Sequence, residues 1–212
     1  MSNLLPYLVF LLGSLVFLFV YWKRLKEDYA GIEIFTSGFY TLVGTGIGSL
    51  VFGIILKNFL HNTLFFINTG LWFWGGVVGA AIGYMLGVLR FKLKIFETQE
   101  AVGISMLWLL LFFFVYDSFK NSSVFSLTGS VILLGLIGLF FFLEGKYRRF
   151  TWYKSGKVGF SGLATLGSFF LLRTVFGLIF PFTFSFIGRI DSLISGCISF
   201  ILFLLLYNLG EQ

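Results

Sequence analysis

"GLWFWGGVVGAAIGYMLGVL", residues 70–89, decides the fold class. It contains no charged residue and no proline over a length that, as a helix, crosses a hydrocarbon core. It is also unusually rich in glycine: Gly75, Gly79, Gly83 and Gly87 recur every four residues and share one helical face. Gly75 and Gly76 are adjacent and follow Trp74. Glycine destabilises a soluble helix through backbone entropy, whereas between membrane helices small residues let two backbones approach closely.

The rest of the chain reads the same way. Of its 212 residues 58% are hydrophobic and 11% charged, well under half the charged fraction of a soluble domain. Thirty-one phenylalanines leave too little polar surface for a water-soluble fold. Six further apolar stretches accompany Gly70–Leu89: Leu4–Tyr21, Ile34–Leu56, Ala101–Tyr116, Leu127–Leu143, Gly159–Phe180 and Ser192–Tyr207. Within lipid each segment must satisfy its own backbone, so these are helices. The expected fold is an all-α polytopic bundle of about seven transmembrane helices, a single domain over residues 1–212.

Basic residues set the orientation. Eleven fall in odd-numbered connections: Lys23, Arg24, Lys26, Arg90, Lys92, Lys94, Lys146, Arg148, Arg149, Lys154 and Lys157. Even-numbered connections hold Lys57, Lys120 and Arg189. Since positive loops stay cytoplasmic, the N-terminus is expected outside and the C-terminus inside. The net charge of +6 is thereby assigned to topology, with no nucleic-acid partner. The first apolar segment lacks a preceding basic residue and reads as a retained span rather than a signal peptide. Cys197, the single cysteine, excludes an internal disulfide and reads as a small packing residue. Nothing has metal-ligand spacing, and no phosphate loop, paired carboxylates within a span, Ser-His-Asp pattern or cofactor motif is present.

Candidate site residues are few. Arg173 lies mid-span in "GSFFLLRTVFGLIF" with no carboxylate three or four residues away. Its guanidinium matches a lipid phosphate in bidentate fashion, although snorkelling or capping by backbone carbonyls would also accommodate it. The Gly75–Gly76 pair suits the lining of a cavity, and Gly44, Gly46 and Gly48 form a second glycine-rich surface. His61, the only histidine, falls at the end of the second span as a polar edge residue. Glu97 and Glu100 read as a solvated cluster among loop cations, Asp117 and Glu144 as interfacial span ends, and Trp22, Trp74, Trp108 and Trp152 as aromatic-belt residues.

"GLWFWGGVVG" resembles the Gly-x-x-Phe-His-Gly-Gly-x-x-Gly segment of the phosphatidylglycerol–prolipoprotein diacylglyceryl transferase family. Gly70, Phe73, Gly75, Gly76 and Gly79 match in order, and the family's histidine falls on Trp74. "VGTGIGSLVF" is similar to the family's glycine-rich second span, with Ile47 or Gly48 where an arginine is usual. "GKVGFSGLATLGSFFLLRTVF" resembles its penultimate span, whose arginine matches Arg173. "PYLVFLLG" is similar to its first span, with Tyr7 one residue out of step. The family's Arg-x-Gly-Asn-Phe motif has no counterpart in "LLLFFFVYDSF", and Gly177 replaces a glutamate four residues past Arg173.

The resemblance implies a divergent transferase of a bacterial cytoplasmic membrane. It would move a diacylglyceryl group from phosphatidylglycerol to a lipobox cysteine of a prolipoprotein, without a cofactor. Lipid would be bound by Arg173, Trp74, Gly75, Gly76 and Gly79. Indole is no base, so Arg173, Tyr7 and His61 are left as catalytic candidates. Two other readings stand beside it. One is an inactive relative that binds an anionic phospholipid or a membrane partner; the other is a small transporter or its substrate-binding subunit.

Overall fold

The computed structural model describes residues 5–59, 71–122, 124–147, 150, 153, 158–179 and 189–211. These form seven helices: α1 (Leu5–Leu25), α2 (Gly31–Phe59), α3 (Leu71–Phe91), α4 (Ile95–Asn121), α5 (Val124–Lys146), α6 (Phe160–Ile179) and α7 (Arg189–Glu211). Each is long and apolar enough to cross a membrane. Large apolar side chains such as Leu15, Ile54, Leu89, Leu178 and Phe200 point outward, while Ser37, Thr41, Ser105, Thr165 and Ser195 are buried. Small hydroxyl residues inside and bulky apolar ones outside is the distribution expected where lipid, not water, surrounds the bundle.

Residue contacts give the helix directions. Gly13 meets Leu109 and Arg24 meets Glu100, so α1 and α4 are antiparallel. Gly129 meets Phe114 and Ser126 meets Asp117, and Ser195 and Ser199 meet Arg173 and Gly167, so α4/α5 and α6/α7 are antiparallel as well. The α4 positions Glu100 and Gly103 instead face Gly162 and Leu166 of α6, which is a parallel pairing. Successive helices thus run up and down.

The glycine face of α3 is not an open groove. A Cβ on Gly75 would lie 2.5 Å from the Gly48 carbonyl oxygen and 2.6 Å from Phe52 Cβ. One on Gly76 would lie 2.6 Å from Ser49 Oγ, and one on Gly87 2.7 Å from Ser37 Cβ. At Gly79 and Gly83 the obstacles are the carbonyls of Gly44 and Tyr40. Gly44 and Gly48 of α2 and the glycine face of α3 are therefore two halves of one contact, while a Cβ on Gly46, read as part of the same surface, would meet nothing within 4 Å; α2·α3 is the most extensive helix pair. This corrects the expectation that Gly75, Gly76 and Gly79 line a lipid cavity: α2 occupies that space.

The fourth and fifth helices are longer than hydropathy suggests, 27 and 23 residues. Polar residues near the start of α4 are carried inside the bundle rather than left in a loop. Glu100 is 3% exposed, its carboxylate held by Arg24 at 2.5 Å and by the Gly159 backbone at the start of α6. It is not part of a solvated cluster. Arg24 also pairs with Glu144 of α5 and lies over the Phe140 ring, 5.1 Å from its centroid. One guanidinium thus ties α1, α4 and α5 together beside the N-terminus of α6. Cys197, expected to pack between helices, is exposed on the bundle surface.

Candidate functional site

The polar cluster around Arg173 is built by three helices. α6 carries Arg173, about four turns past its start and six residues before its end at Ile179. α7 contributes Asp191 and Ser195; Ser192 and Ser199 of the same helix are also buried, Ser199 donating to the Gly167 carbonyl oxygen at 2.8 Å, and all four are at most 7% exposed. Asp191, Ser195 and Ser199 are spaced by four, so one face of an otherwise apolar helix presents a carboxylate and two hydroxyls inward. α3 contributes Phe73 and Trp74 from its first turn. The cluster lies near the end of the bundle where α3 and α7 begin.

Arg173 is 3% exposed. Its Nε donates to Ser195 Oγ at 3.0 Å. The guanidinium carbon sits 3.9 Å from the Phe73 ring centroid and 5.3 Å from that of Trp74. The Asp191 carboxylate is near enough to act on it electrostatically. Aromatic faces and a carboxylate compensate the lost hydration of a buried cation. Arg173 therefore neither snorkels to the surface nor stands alone. The partners described above come from α3 and α7.

Trp74 is 7% exposed and belongs to the core, not to an aromatic belt. Its indole Nε1 donates to Asp191 Oδ1 at 2.7 Å. Its ring stacks on Phe170, centroids 6.0 Å apart and planes 13° apart, and meets Phe73 edge-on at 5.5 Å. A tryptophan buried with its N–H on a carboxylate is fixed in both position and orientation.

No family model, curated protein or solved structure matches the chain.

Of the residues singled out from the sequence, Arg173 and Trp74 come together. Gly75, Gly76 and Gly79 lie along the same helix as Trp74 but turn toward α2. Tyr7 lies in α1, with its side chain outside the described residues; His61, Gly70 and Trp152 fall outside them altogether. The residues missed from the sequence are Asp191 and Ser195. A signal was available: in "RIDSLISGCIS" the polar residues Asp191, Ser195 and Ser199 recur at helical spacing in an apolar span, and intramembrane acids usually mark function. Among the described residues no group of three metal-ligating side chains is close enough to hold an ion. The arrangement can bind and orient an anion through Arg173, can accept donors at Asp191, and offers a flat aromatic wall.

Proposed function

We propose that this chain is a multi-pass membrane protein that binds a glycerophospholipid, receiving its headgroup phosphate at Arg173. The observation that carries the reading is a guanidinium 3% exposed, fixed over Phe73 and beside Trp74 by the hydrogen bond it donates to Ser195. A preoriented guanidinium matches the bidentate geometry of phosphate. It stands six residues, or about 9 Å, inside the end of α6, in the half of a core of about 30 Å nearer that end. The charge distribution of the connections supports an outward N-terminus, hence a site in the outer leaflet. The resemblance to diacylglyceryl transferases supports a bacterial cytoplasmic membrane, with phosphatidylglycerol as the implied lipid. Orientation is checked by thiol labelling of intact cells in a Cys197→Ser background: Ser122→Cys should label from outside and Lys92→Cys only after lysis. The reverse pattern sinks the outer-leaflet assignment.

Binding is tested with purified protein in detergent, titrated with fluorescent phosphatidylglycerol and phosphatidylethanolamine. Saturable binding of either that falls about tenfold in Arg173→Gln and is partly restored in Arg173→Lys is the expected result. Equal binding by Arg173→Gln, at unchanged thermal stability, overturns the reading.

The transferase reading keeps one specific support. Trp74 stands where the resemblance puts histidine, and its indole reaches a carboxylate, Asp191, in the same cluster as Arg173. Asp191 could take the proton of an incoming cysteine thiol. The thiolate sulfur would then form a bond to the lipid's glycerol carbon while that carbon's bond to the phosphate oxygen breaks, releasing glycerol phosphate toward Arg173. Incubation with phosphatidylglycerol and a lipobox peptide checks this by mass spectrometry. A diacylglyceryl adduct lost in Asp191→Asn supports it, and an unmodified peptide with both the native chain and Trp74→His leaves binding as the function.

A further inference from the structure

We infer that Arg90 and Tyr40 form a seat for the phosphate of an anionic phospholipid, at the end of the bundle opposite Arg173 and on its lipid-facing side. The inference rests on the membrane reading of the seven helices and is independent of the Arg173 site. Arg90, in the last turn of α3, is exposed. Its Nη1 donates to the Tyr40 hydroxyl of α2. Its guanidinium carbon lies 5.8 Å from the Tyr40 ring centroid and 5.7 Å from that of Phe91. All nine acidic side chains of the sequence fall within the described residues, and among these none forms an ion pair with Arg90. Arg24, Lys94 and Arg173, by contrast, each have a carboxylate beside them. Tyr40 and Phe91 therefore hold a guanidinium in place without neutralising it. The helix dipole favours any cation at the end of α3, but it does not account for the tether to α2.

The surroundings suit a lipid rather than a soluble anion. Val78, Ile82, Leu86 and Arg90 recur every four residues on α3 beside its glycine face, and the three apolar ones are at least 45% exposed. On α2, Ile47 and Val51 fall on the same face as Tyr40 and are exposed too. Between these two rows the backbones touch through Gly44, Gly48, Gly75 and Gly79, so the seam is floored by glycine. An acyl chain lying along that seam brings its headgroup to Arg90, whose fork gives one of five N–H donors to Tyr40. Lys92, two positions on, is exposed and likewise forms no ion pair among the described residues. It holds a left-handed backbone at φ 52°, a place where glycine is usual, in a chain with 26 glycines. Two cations that the protein leaves unanswered favour a headgroup of net negative charge over a zwitterion. The basic connections put this end of the bundle in the cytoplasmic leaflet.

The test is native mass spectrometry of the full chain in a neutral detergent, with equal amounts of phosphatidylglycerol and phosphatidylcholine of matched acyl chains. The native protein should retain phosphatidylglycerol over phosphatidylcholine by about tenfold. Arg90→Gln, at an exposed position outside the Arg173 cluster, should lose most of that preference. Tyr40→Phe keeps the ring and the net charge but removes the hydroxyl, and it should lose part of the preference, which a general charge effect would not. In Arg173→Gln the Arg90-dependent preference should persist; where that variant does not fold, Arg90→Gln against the native protein decides. Equal retention of the two lipids by the native protein, or an unaltered preference in Arg90→Gln, overturns this inference and leaves the Arg173 reading intact. A preference lost in Arg173→Gln but kept in Arg90→Gln assigns the anion to Arg173 alone and overturns it as well. Tyr40→Phe that matches the native protein overturns the part given to Tyr40.

Discussion

At Arg173, the cost of removing a guanidinium from water is offset by neighbours on two other helices, and each has a distinct part. Ser195 fixes the direction of Nε, Phe73 supplies a ring face at 3.9 Å, and Asp191 supplies the opposite charge. Truncating Arg173 to alanine leaves Asp191 buried with its compensating cation gone, which costs about 3–5 kcal/mol. Neutralising both partners removes the mismatch. Arg173→Met combined with Asp191→Asn should therefore unfold at a higher temperature than Arg173→Ala alone, as measured by thermal unfolding in detergent. A double variant no more stable than the single one would show that Asp191 does not balance Arg173. The residue itself was legible in the sequence, because an arginine inside an apolar span stands out. The pairing with Asp191 was not, because Asp191, though visible as an acid in an apolar span, lies eighteen positions on and reaches Arg173 only through the antiparallel fold of α6 against α7.

Between helices, the spacing of Gly75, Gly79, Gly83 and Gly87 has one consequence and the unfilled glycines of α5 have the opposite one. A methyl at Gly79 points straight at the backbone of Gly44, with the carbonyl carbon at 2.7 Å, and no rotamer change relieves a clash with backbone. The α2/α3 axes must separate, and with them goes the dispersion contact that holds two membrane helices together. Gly79→Ala should cost roughly 2–3 kcal/mol, in the range of overpacked cores. At Gly138 a Cβ meets nothing within 4 Å, and alanine there should be neutral or slightly stabilising through helix propensity. Monodispersity and thermal midpoints of the two purified variants check the contrast; equal midpoints would count against the close packing. Four-residue spacing is visible in a sequence because it is a property of one helix. What fills the face is not, since Gly44 and Gly48 belong to another segment. Seven apolar segments likewise declared seven helices, but hydropathy missed the six extra residues at the start of α4, because Glu97 and Glu100 look like loop residues until Arg24 is brought to Glu100.

Across the described residues, two polar clusters stand at opposite ends of the bundle and between them engage every helix except α2. The Arg173 cluster joins α3, α6 and α7, and the Arg24 cluster joins α1, α4 and α5 at the opposite end, against the start of α6. α6 is the helix common to both, so Arg24 also helps to hold the element that carries Arg173. The two carboxylates on Arg24 are not equivalent. The Glu100 side chain is 4% exposed and the Glu144 side chain 34% exposed. Removing Arg24 leaves Glu100 with a charge that water cannot reach, a loss of about 3 kcal/mol or more for a broken buried pair. Removing Glu144 leaves Arg24 still paired and frees a group that solvent already touches, a loss of about 1 kcal/mol or less. Arg24→Ala should therefore lower the thermal midpoint several times more than Glu144→Gln does. Because α6 links the two ends, Arg24→Ala should also weaken Arg173-dependent phospholipid binding, which Glu144→Gln should leave unchanged. Matched losses in the two variants, or binding indifferent to Arg24→Ala, would mean that the two ends of the bundle act independently.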